Sequence, residues 1–467
     1  MVIGPMGWGA AACLLVLLCA GAATARSAGL PRLKVSENRR FLVKEDGSPF
    51  FWLGDTAWEL FHRLNREDSE RYLRDRAGKG FTVIQAVVLA EFGGLTVPNA
   101  NGDLPLLDSD PTRPNERYFA HVDAVVEAAS RLGLYIGMLP TWGDKWNTKW
   151  GGGPEIFTPE NAASYGEFLG RRYREQPIVW ILGGDRPPEN ERHLAIVRAM
   201  AAGLRRGDEG RHLLTYHPTG GQSSSEWFHE DDWLSFNMIQ SGHWARNNPN
   251  YGMIAADYAR TPAKPCLDGE PCYEQIAIQF KPALGRFDDC DVRKAAYWAV
   301  FAGAHGHTYG ANGIFQFHLP SRPGEFDAVT PWQEALSFPG AGQLRHLRAL
   351  MESRPFLTRI PDQSLIAGDT GEGVHHVQAT RDASGSYAML YVPEAGRKVT
   401  VNTSKLSGKR LKAWWYDPRT GTAQAQKGEF PVGGKLEFTS PKEGPDWVLV
   451  LDDAARRFGP PGGRGRP

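Results

Sequence analysis

The stretch Ile178-Val179-Trp180-Ile181-Leu182-Gly183-Gly184-Asp185-Arg186 is an apolar run that breaks into two glycines and then a charged pair. A strand wetted on one face alternates apolar with polar residues, whereas a strand covered on both faces does not. Nothing alternates from Ile178 to Leu182, so the run predicts a buried strand of a parallel sheet. Seven more runs of this kind flank it, at residues 50–54, 81–89, 134–141, 213–217, 234–240, 265–270 and 307–317. Between them apolar residues move to helical spacing. Phe119, Val122, Val125, Val126, Ala129 and Leu132 line one helix, which Gly133 stops. Thr158-Pro159 caps another, with Tyr165, Phe168, Leu169 and Tyr173 on one face. Residues 189–206 and 292–303 repeat the pattern, and the helix after the fifth strand reads as short. Eight such alternations predict an α/β fold, a (β/α)8 TIM barrel with enlarged loops, over residues 33–354. The rival is an open doubly wound sheet, but no glycine-rich nucleotide turn follows the first strand.

The C-terminal part is patterned differently. Residues 374–381, 386–392, 398–402, 410–416, 435–439 and 447–451 are short alternating runs. Turn residues such as Asp382-Ala383-Ser384-Gly385, Asp417-Pro418 and Gly433-Gly434 separate them. Strands so spaced, with no helix between, predict a small all-β sandwich over 355–453. Gly, Pro and Arg dominate the end of the chain, and 454–467 is expected to be a disordered tail. No internal repeat is present.

At the other end, residues 10–23 are small and apolar, and Ala23-Thr24-Ala25 fits an A-x-A cleavage site. The apolar run is shorter than the about 20 residues that a bilayer crossing needs. No Lys or Arg precedes it, and Leu18 stands before Cys19 where a lipoprotein signal wants a small residue. Residues 1–25 are therefore read as a signal peptide, with the mature chain secreted or periplasmic and free of membrane segments. Lys+Arg 53 balance Asp+Glu 53, which removes the electrostatic case for nucleic acid or an anionic membrane as partner. Cys266, Cys272 and Cys290 remain after cleavage, and a local disulfide between two of them is expected. There is no C-x-x-C, G-x-S-x-G or H-E-x-x-H, and His305 and His307 lack nearby carboxylate spacing. No metal and no cofactor are expected.

A barrel of this kind carries its chemistry on the loops after its strands. The fourth run delivers Asp185 and the seventh, Leu267-Asp268-Gly269-Glu270, delivers Glu270. Alone, either could pair with an arginine such as Arg186 or cap a helix. Facing each other across the mouth, two carboxyls can divide the labour of glycosidic cleavage, one protonated to donate and one ionised to attack. The other strand ends add Asp55 and Trp58, Glu91, Trp142, His217, Gln240, His243 and Tyr309. Aromatic faces stack on sugar rings, and the polar groups pair with hydroxyls, so these are candidate substrate-binding residues for an oligo- or polysaccharide. Trp52, Trp180 and Trp298 are assigned to the core. Glu274 is the rival nucleophile but lies beyond the strand, and Asp268 is read as orienting Glu270 through an intervening group.

These motifs resemble the apiosidase-like barrels of glycoside hydrolase family 140. The likeness rests on Gly183-Gly184-Asp185-Arg186 and on Asp268-Gly269-Glu270-Pro271-Cys272-Tyr273-Glu274. Gly54-Asp55-Thr56-Ala57-Trp58, Gly80-Phe81-Thr82-Val83-Ile84-Gln85 and Gly303-Ala304-His305-Gly306-His307-Thr308-Tyr309-Gly310 support it. It spans essentially the whole mature chain. Trp415-Tyr416-Asp417-Pro418-Arg419-Thr420-Gly421 and Asp446-Trp447-Val448-Leu449 are similar to the collagen-binding-labelled sandwich that accompanies this barrel. The resemblance implies Asp185 as acid/base, Glu270 as nucleophile, and a retaining exo-hydrolase that removes an apiose-type pentofuranosyl residue from pectic side chains. Two positions depart from the pattern. Thr82 stands where Asn is expected, and Ile314-Phe315-Gln316-Phe317 where the eighth strand is expected to hold a Trp. Both bear on which sugar fits, since pocket shape sets specificity. The alternative from another class is a non-catalytic secreted protein that binds a glycan or matrix protein; the paired carboxylates weigh against it.

Overall fold

The computed structural model describes residues 1–4 and 29–463. Apart from its first four residues, the expected signal peptide lies outside the described residues, as do positions 464–467 of the expected tail. No helix among the described residues is long and apolar enough to cross a membrane.

Eight parallel strands form the core of the larger unit. They are β1 (Trp52–Thr56), β2 (Val83–Leu89), β3 (Tyr135–Thr141), β4 (Ile178–Gly183), β5 (Leu214–His217), β6 (Asn237–Ile239), β7 (Cys266–Asp268) and β8 (Gly306–Tyr309). Every residue in them is buried, which explains why the sequence shows continuous apolar runs. Neighbours in sequence are neighbours in the sheet, and β8 pairs with β1, with Tyr309 opposite Asp55. Between β5 and β6 there is no regular ladder. There Ser235 N donates to Leu214 O (2.8 Å) and Thr215 Oγ1 to Phe236 O (2.7 Å), nearly closing the barrel.

The helical layer comprises α1 (Arg66–Gly78), α2 (Glu116–Arg131), α3 (Pro159–Tyr173), α4 (Glu191–Gly207), α5 (Asn250–Ala259), α6 (Asp289–Phe301) and α7 (Pro339–Glu352). Thr158 and Asp288 close capping boxes at α3 and α6, satisfying amides that the first turn leaves free. Only the turn Ser225–Phe228 separates β5 from β6. A three-stranded antiparallel sheet (Leu33–Val35, Leu42–Lys44, Pro49–Phe50) covers the N-terminal end of the barrel. Near it, Tyr135 Oη at the start of β3 donates to Pro31 O, and Arg39 Nε donates to Ala263 O just ahead of β7.

The (β/α)8 TIM barrel is therefore present, with one correction. The eighth run, read as one strand over 307–317, is a strand only to Tyr309, and Asn312–Phe315 is a helical turn. Periodicity alone cannot separate a short buried strand from a short buried helix. Gln316 settles the local structure by donating to Asn312 Oδ1 and Glu325 O while accepting from Glu325 N.

After the barrel come β9 (Arg359–Pro361), β10 (Gln378–Asp382), β11 (Tyr387–Val392), β12 (Lys398–Asn402), β13 (Arg410–Tyr416), β14 (Ala423–Ala425), β15 (Phe430–Pro431), β16 (Lys435–Thr439) and β17 (Trp447–Asp453). One antiparallel sheet has the order β9-β10-β11-β17-β13-β14, with β15 also on β13; β12 and β16 form a separate pair. The C-terminal all-β sandwich is thus unequal. Ala388, Leu390, Leu411, Trp415 and Leu449 face the two-stranded layer, while Tyr387, Met389, Tyr391, Val448 and Val450 join the core of the barrel. Tyr297 of α6 stacks on Tyr391 at 5.0 Å. Buried pairs Arg293–Asp446 and Arg354–Asp452, each at 2.8 Å, cross the same boundary.

Two further expectations change. Residues 454–463 are not a loose tail: Phe458 lies under the Arg354 guanidinium, which also donates to Gly459 O. The expected disulfide is absent, because Cys266, Cys272 and Cys290 are all unpaired. Cys266 and Cys272 are buried in separate surroundings, where desolvation first of all holds their thiols protonated.

Candidate active site

Glu270 follows the end of β7 through Gly269, which lies close against the Met238 side chain. A Cβ there would lie 2.4 Å from Met238 Sδ. Gly269 N donates to Ile239 O, its carbonyl accepts from Gln85 Nε2 at 3.0 Å, and Glu270 O accepts from Gly242 N. The backbone is thereby fixed to β6 and to β2 across the barrel interior. Two imidazoles converge on the buried carboxylate, His217 Nε2 3.0 Å from Oε2 and His243 Nε2 3.2 Å from Oε1. Burial opposes ionisation of Glu270, but the two histidines outweigh it and hold its pKa well below the ordinary carboxylate range. Aromatic rings hold the histidines in turn. Trp58 meets His217 edge-on at 5.3 Å, Trp142 lies tilted against it at 5.9 Å, and Tyr273 backs His243 at 4.5 Å.

Asp185 stands on a different kind of support. Gly183, Gly184 and Asp185 have φ of 95°, 99° and 58°, three consecutive residues in the left-handed region. A Cβ on Gly183 would sit 2.3 Å from His217 O, and one on Gly184 2.7 Å from Gly143 N. The glycines let the loop after β4 press against its neighbours, so that Gly143 N donates to Gly184 O at 2.9 Å. Aspartate tolerates this conformation better than most residues, at a cost that marks the turn as strained. Arg186 Nη1 is 3.7 Å from the Asp185 carboxylate, too far for a good hydrogen bond. Removal from water, and then the charge on Glu270, push Asp185 above its usual pKa against the pull of His217 and Arg186. The two carboxyls are displaced in opposite directions.

Glu91, beyond β2, completes an acidic mouth. Burial and then the Asp185 charge push it up to about 8, with Arg186 Nη2 3.9 Å away. Trp142 Nε1, Gln240 Oε1 and His243 Nδ1 are buried and lack a hydrogen-bond partner among the described residues. Such groups suit a polyhydroxylated ligand, since leaving them unpaired is costly. The structure thus gathers Trp58, Glu91, Trp142, His217 and His243 around Asp185 and Glu270, with Gln240 at the end of β6.

Asp55 and Tyr309 turn away from this mouth. They are register partners on β1 and β8, so their side chains share one face of the sheet, and it is the outer one. Asp55 Oδ2 accepts from Tyr72 Oη and Arg76 Nε of α1, both at 2.5 Å. Tyr309 Oη donates to Glu274 Oε2 at 2.6 Å, and Gly340 N at the start of α7 donates to the same carboxylate. That contact also removes Glu274 as rival nucleophile. Asp268 accepts from Ser241 Oγ (2.7 Å) and Asn250 Nδ2 (2.9 Å), and so anchors the loop that carries His243 and whose Gly242 N donates to Glu270 O.

The sequence reading missed Tyr273, which accepts from Trp58 Nε1 at 3.2 Å, and the buried Lys145–Asp144 pair at 2.6 Å. Tyr273 lies three residues after Glu270, a spacing that looks like ordinary packing until the turn is seen. Among the described residues no cluster of three or more His, Cys, Asp or Glu is arranged to hold a metal ion.

Comparison with known proteins gives the same division of the chain. Residues 36–358 match the family described as "Apiosidase-like, catalytic domain", and residues 360–452 match "Putative collagen-binding domain of a collagenase". A solved structure titled "Glycoside hydrolase" is 36% identical, covers 92% of this chain and 98% of its own, and has a TM-score of 0.84. A glycoside hydrolase family 5 structure from Bacteroides vulgatus is 35% identical, covers 93% and 96%, and also has a TM-score of 0.84. No curated protein matches.

Proposed function

We propose that this chain, which belongs to the apiosidase-like family of glycoside hydrolases, is an exported, retaining exo-glycosidase with Asp185 as acid/base and Glu270 as nucleophile. Its substrate in this reading is a terminal apiose-type pentofuranosyl residue on a pectic side chain. The observation that carries the assignment is the opposite displacement of the two carboxyls. Glu270 is held ionised by His217 and His243, and Asp185 is pushed toward its protonated form, to about 6, by burial and by the charge on Glu270. Export rests on the apolar stretch ending in Ala23-Thr24-Ala25.

The chemistry follows. A Glu270 oxygen attacks the anomeric carbon as the glycosidic C–O bond breaks, and Asp185 gives its proton to the departing oxygen. Asp185, now ionised, takes a proton from water while the water oxygen displaces Glu270 from the anomeric carbon. Both groups return to their starting states, and two inversions give net retention. His243, hydrogen-bonded to one Glu270 oxygen, and His217, with Nε2 3.0 Å from the other, fix the orientation of the nucleophile. Trp58, Glu91, Trp142 and Gln240 supply stacking faces and hydroxyl partners for the sugar.

Azide rescue tests the roles separately. With azide, Glu270→Gly should release the glycosyl azide of inverted configuration. Asp185→Gly, given a substrate with an activated leaving group, should release the azide of retained configuration. NMR of the products distinguishes them. The same configuration from both variants would overturn the assignment, as would near-wild-type hydrolysis by either one without azide.

A further inference from the structure

We infer that an aromatic shelf beside the mouth, built from Trp244, Phe280 and Phe326, is the binding site for the leaving-group side of the glycan, the sugar ring next to the one removed. This rests on the hydrolase reading above and extends it to a second subsite. Trp244, Phe280 and Phe326 are 57%, 41% and 41% exposed, unusual for large rings in a chain that buries most of its aromatics. They are also contiguous: Phe280 is 6.4 Å from Trp244 and 4.9 Å from Phe326. The shelf joins the reacting centre directly. Phe280 meets His243 edge-on at 5.6 Å, and Nε2 of that imidazole lies 3.2 Å from Glu270. Three separate loops, after β6, β7 and β8, therefore bring one ring each to the same side of the nucleophile.

Backbone geometry makes a second, independent argument. Phe280 (φ 59°) and Phe326 (φ 50°) are both left-handed, a conformation that bulky side chains avoid. Two phenylalanines held so, on different loops and each 41% exposed, gain only part of the burial that would offset the strain. Such strain gathers at ligand-binding positions. The occupant that fits is a sugar ring rather than an apolar partner. The shelf is three rings, is flanked along the chain by the polar residues Arg246, Gln279 and Lys281, and adjoins the carboxylates of the mouth through His243.

The test uses Phe280→Gly, Phe326→Gly and Trp244→Ala with two probes, an apiosyl-bearing pectic oligosaccharide and apiosyl fluoride, which has no leaving-group ring. For the oligosaccharide, each variant should lose about tenfold in kcat/KM, the order expected for one lost stacking contact. For the fluoride, the loss should be several-fold smaller. The two glycine variants should hold or raise the melting temperature, because they relieve left-handed phenylalanines; a packing role would lower it. Equal losses on both probes, or none on the oligosaccharide, would overturn the shelf while leaving the hydrolase standing. Conversion of a dimer to monomer with unchanged oligosaccharide kinetics would also overturn it and mark a self-association surface. Failure of the wild type on both probes would remove the apiose reading and the shelf together.

Discussion

Two buried carboxylates sit at strand ends on opposite faces of the same barrel wall, and their surroundings could hardly differ more. Asp55 meets a guanidinium and a phenol at 2.5 Å, both from α1, in a dry layer between sheet and helix. Glu270 meets two neutral-capable imidazoles and the open mouth. Burial dominates at Asp55 and raises its pKa even beside Arg76, whereas the histidines prevail at Glu270 and lower it. A carboxylate locked to a permanent cation is structural. One flanked by groups that can hold and release protons is equipped for chemistry.

The sharpest way to break this contrast is to neutralise each carboxylate in turn. Glu270→Gln should cost about 10⁴-fold or more in kcat, with the protein still folded. Asp55→Asn should do the reverse. It takes from the buried Arg76 the buried one of its two anions, leaving only the partly exposed Asp75 at 2.7 Å, at about 1–3 kcal/mol of stability, with the folded fraction still active. Calorimetry beside steady-state kinetics on both variants reads the two axes. A large kcat loss for Asp55→Asn at full stability would erase the distinction.

The second contrast lies inside the mouth. Asp185 must carry a proton to act as acid, and its pKa is raised, so kcat/KM should be high in acid and fall about tenfold per pH unit once pH exceeds that pKa, about 6. Glu270 must be ionised and its pKa is lowered, so the acid side should hold until well below the ordinary carboxylate range. The profile is an acidic plateau with an alkaline limb. In Asp185→Asn, on a substrate with an activated leaving group, that alkaline limb should vanish. Its persistence would assign the limb to another group, with Glu91 the first to examine.

A third contrast sets the mouth against the barrel–sandwich boundary. Arg293 makes a two-pronged contact with Asp446, which also accepts from Tyr391 Oη, all within the dry contact. Arg293→Ala should lower stability by about 3–5 kcal/mol, because Asp446 stays buried and unpaired. Kinetics of the folded protein should not move. Replacing both partners, as in Arg293→Met with Asp446→Leu, should recover much of the loss. If it does not, the contact acts by geometry rather than by charge.

What the sequence made legible follows from periodicity. Continuous apolar runs such as Ile178 to Leu182 gave buried parallel strands, and Thr158-Pro159 gave a helix start, because each pattern has one dominant physical cause. The run 307–317 misled, because Ile314-Phe315-Gln316-Phe317 is apolar in a helical turn as it would be in a strand. The strand ends pointed to Asp185 and Glu270, but they carry no information on phase. Asp55 and Tyr309 end strands as convincingly as His217 does, and only their partners, Arg76 of α1 and Glu274, show that they face outward. The shelf was illegible for another reason: it joins three loops that are distant in sequence.

The smallest predicted effect probes that phase directly. Tyr309 looks like a sugar-binding residue from sequence, yet its hydroxyl donates to Glu274, away from the mouth. Tyr309→Phe should therefore leave kcat/KM within about twofold while lowering stability by about 1–2 kcal/mol, the worth of one buried hydrogen bond. The stability loss should also depend on pH. Burial, opposed by the Tyr309 hydroxyl and the Gly340 amide, pushes Glu274 up to about 7. A carboxyl raised on folding favours the folded state fully below its unfolded pKa, and that advantage is lost as pH rises through about 7. Tyr309 donates most strongly to the ionised form, so its removal should be felt more at pH 8 than at pH 5. Paired melting curves at the two pH values would show the difference. A loss of kcat/KM well beyond twofold, with no such pH dependence, would return Tyr309 to the mouth.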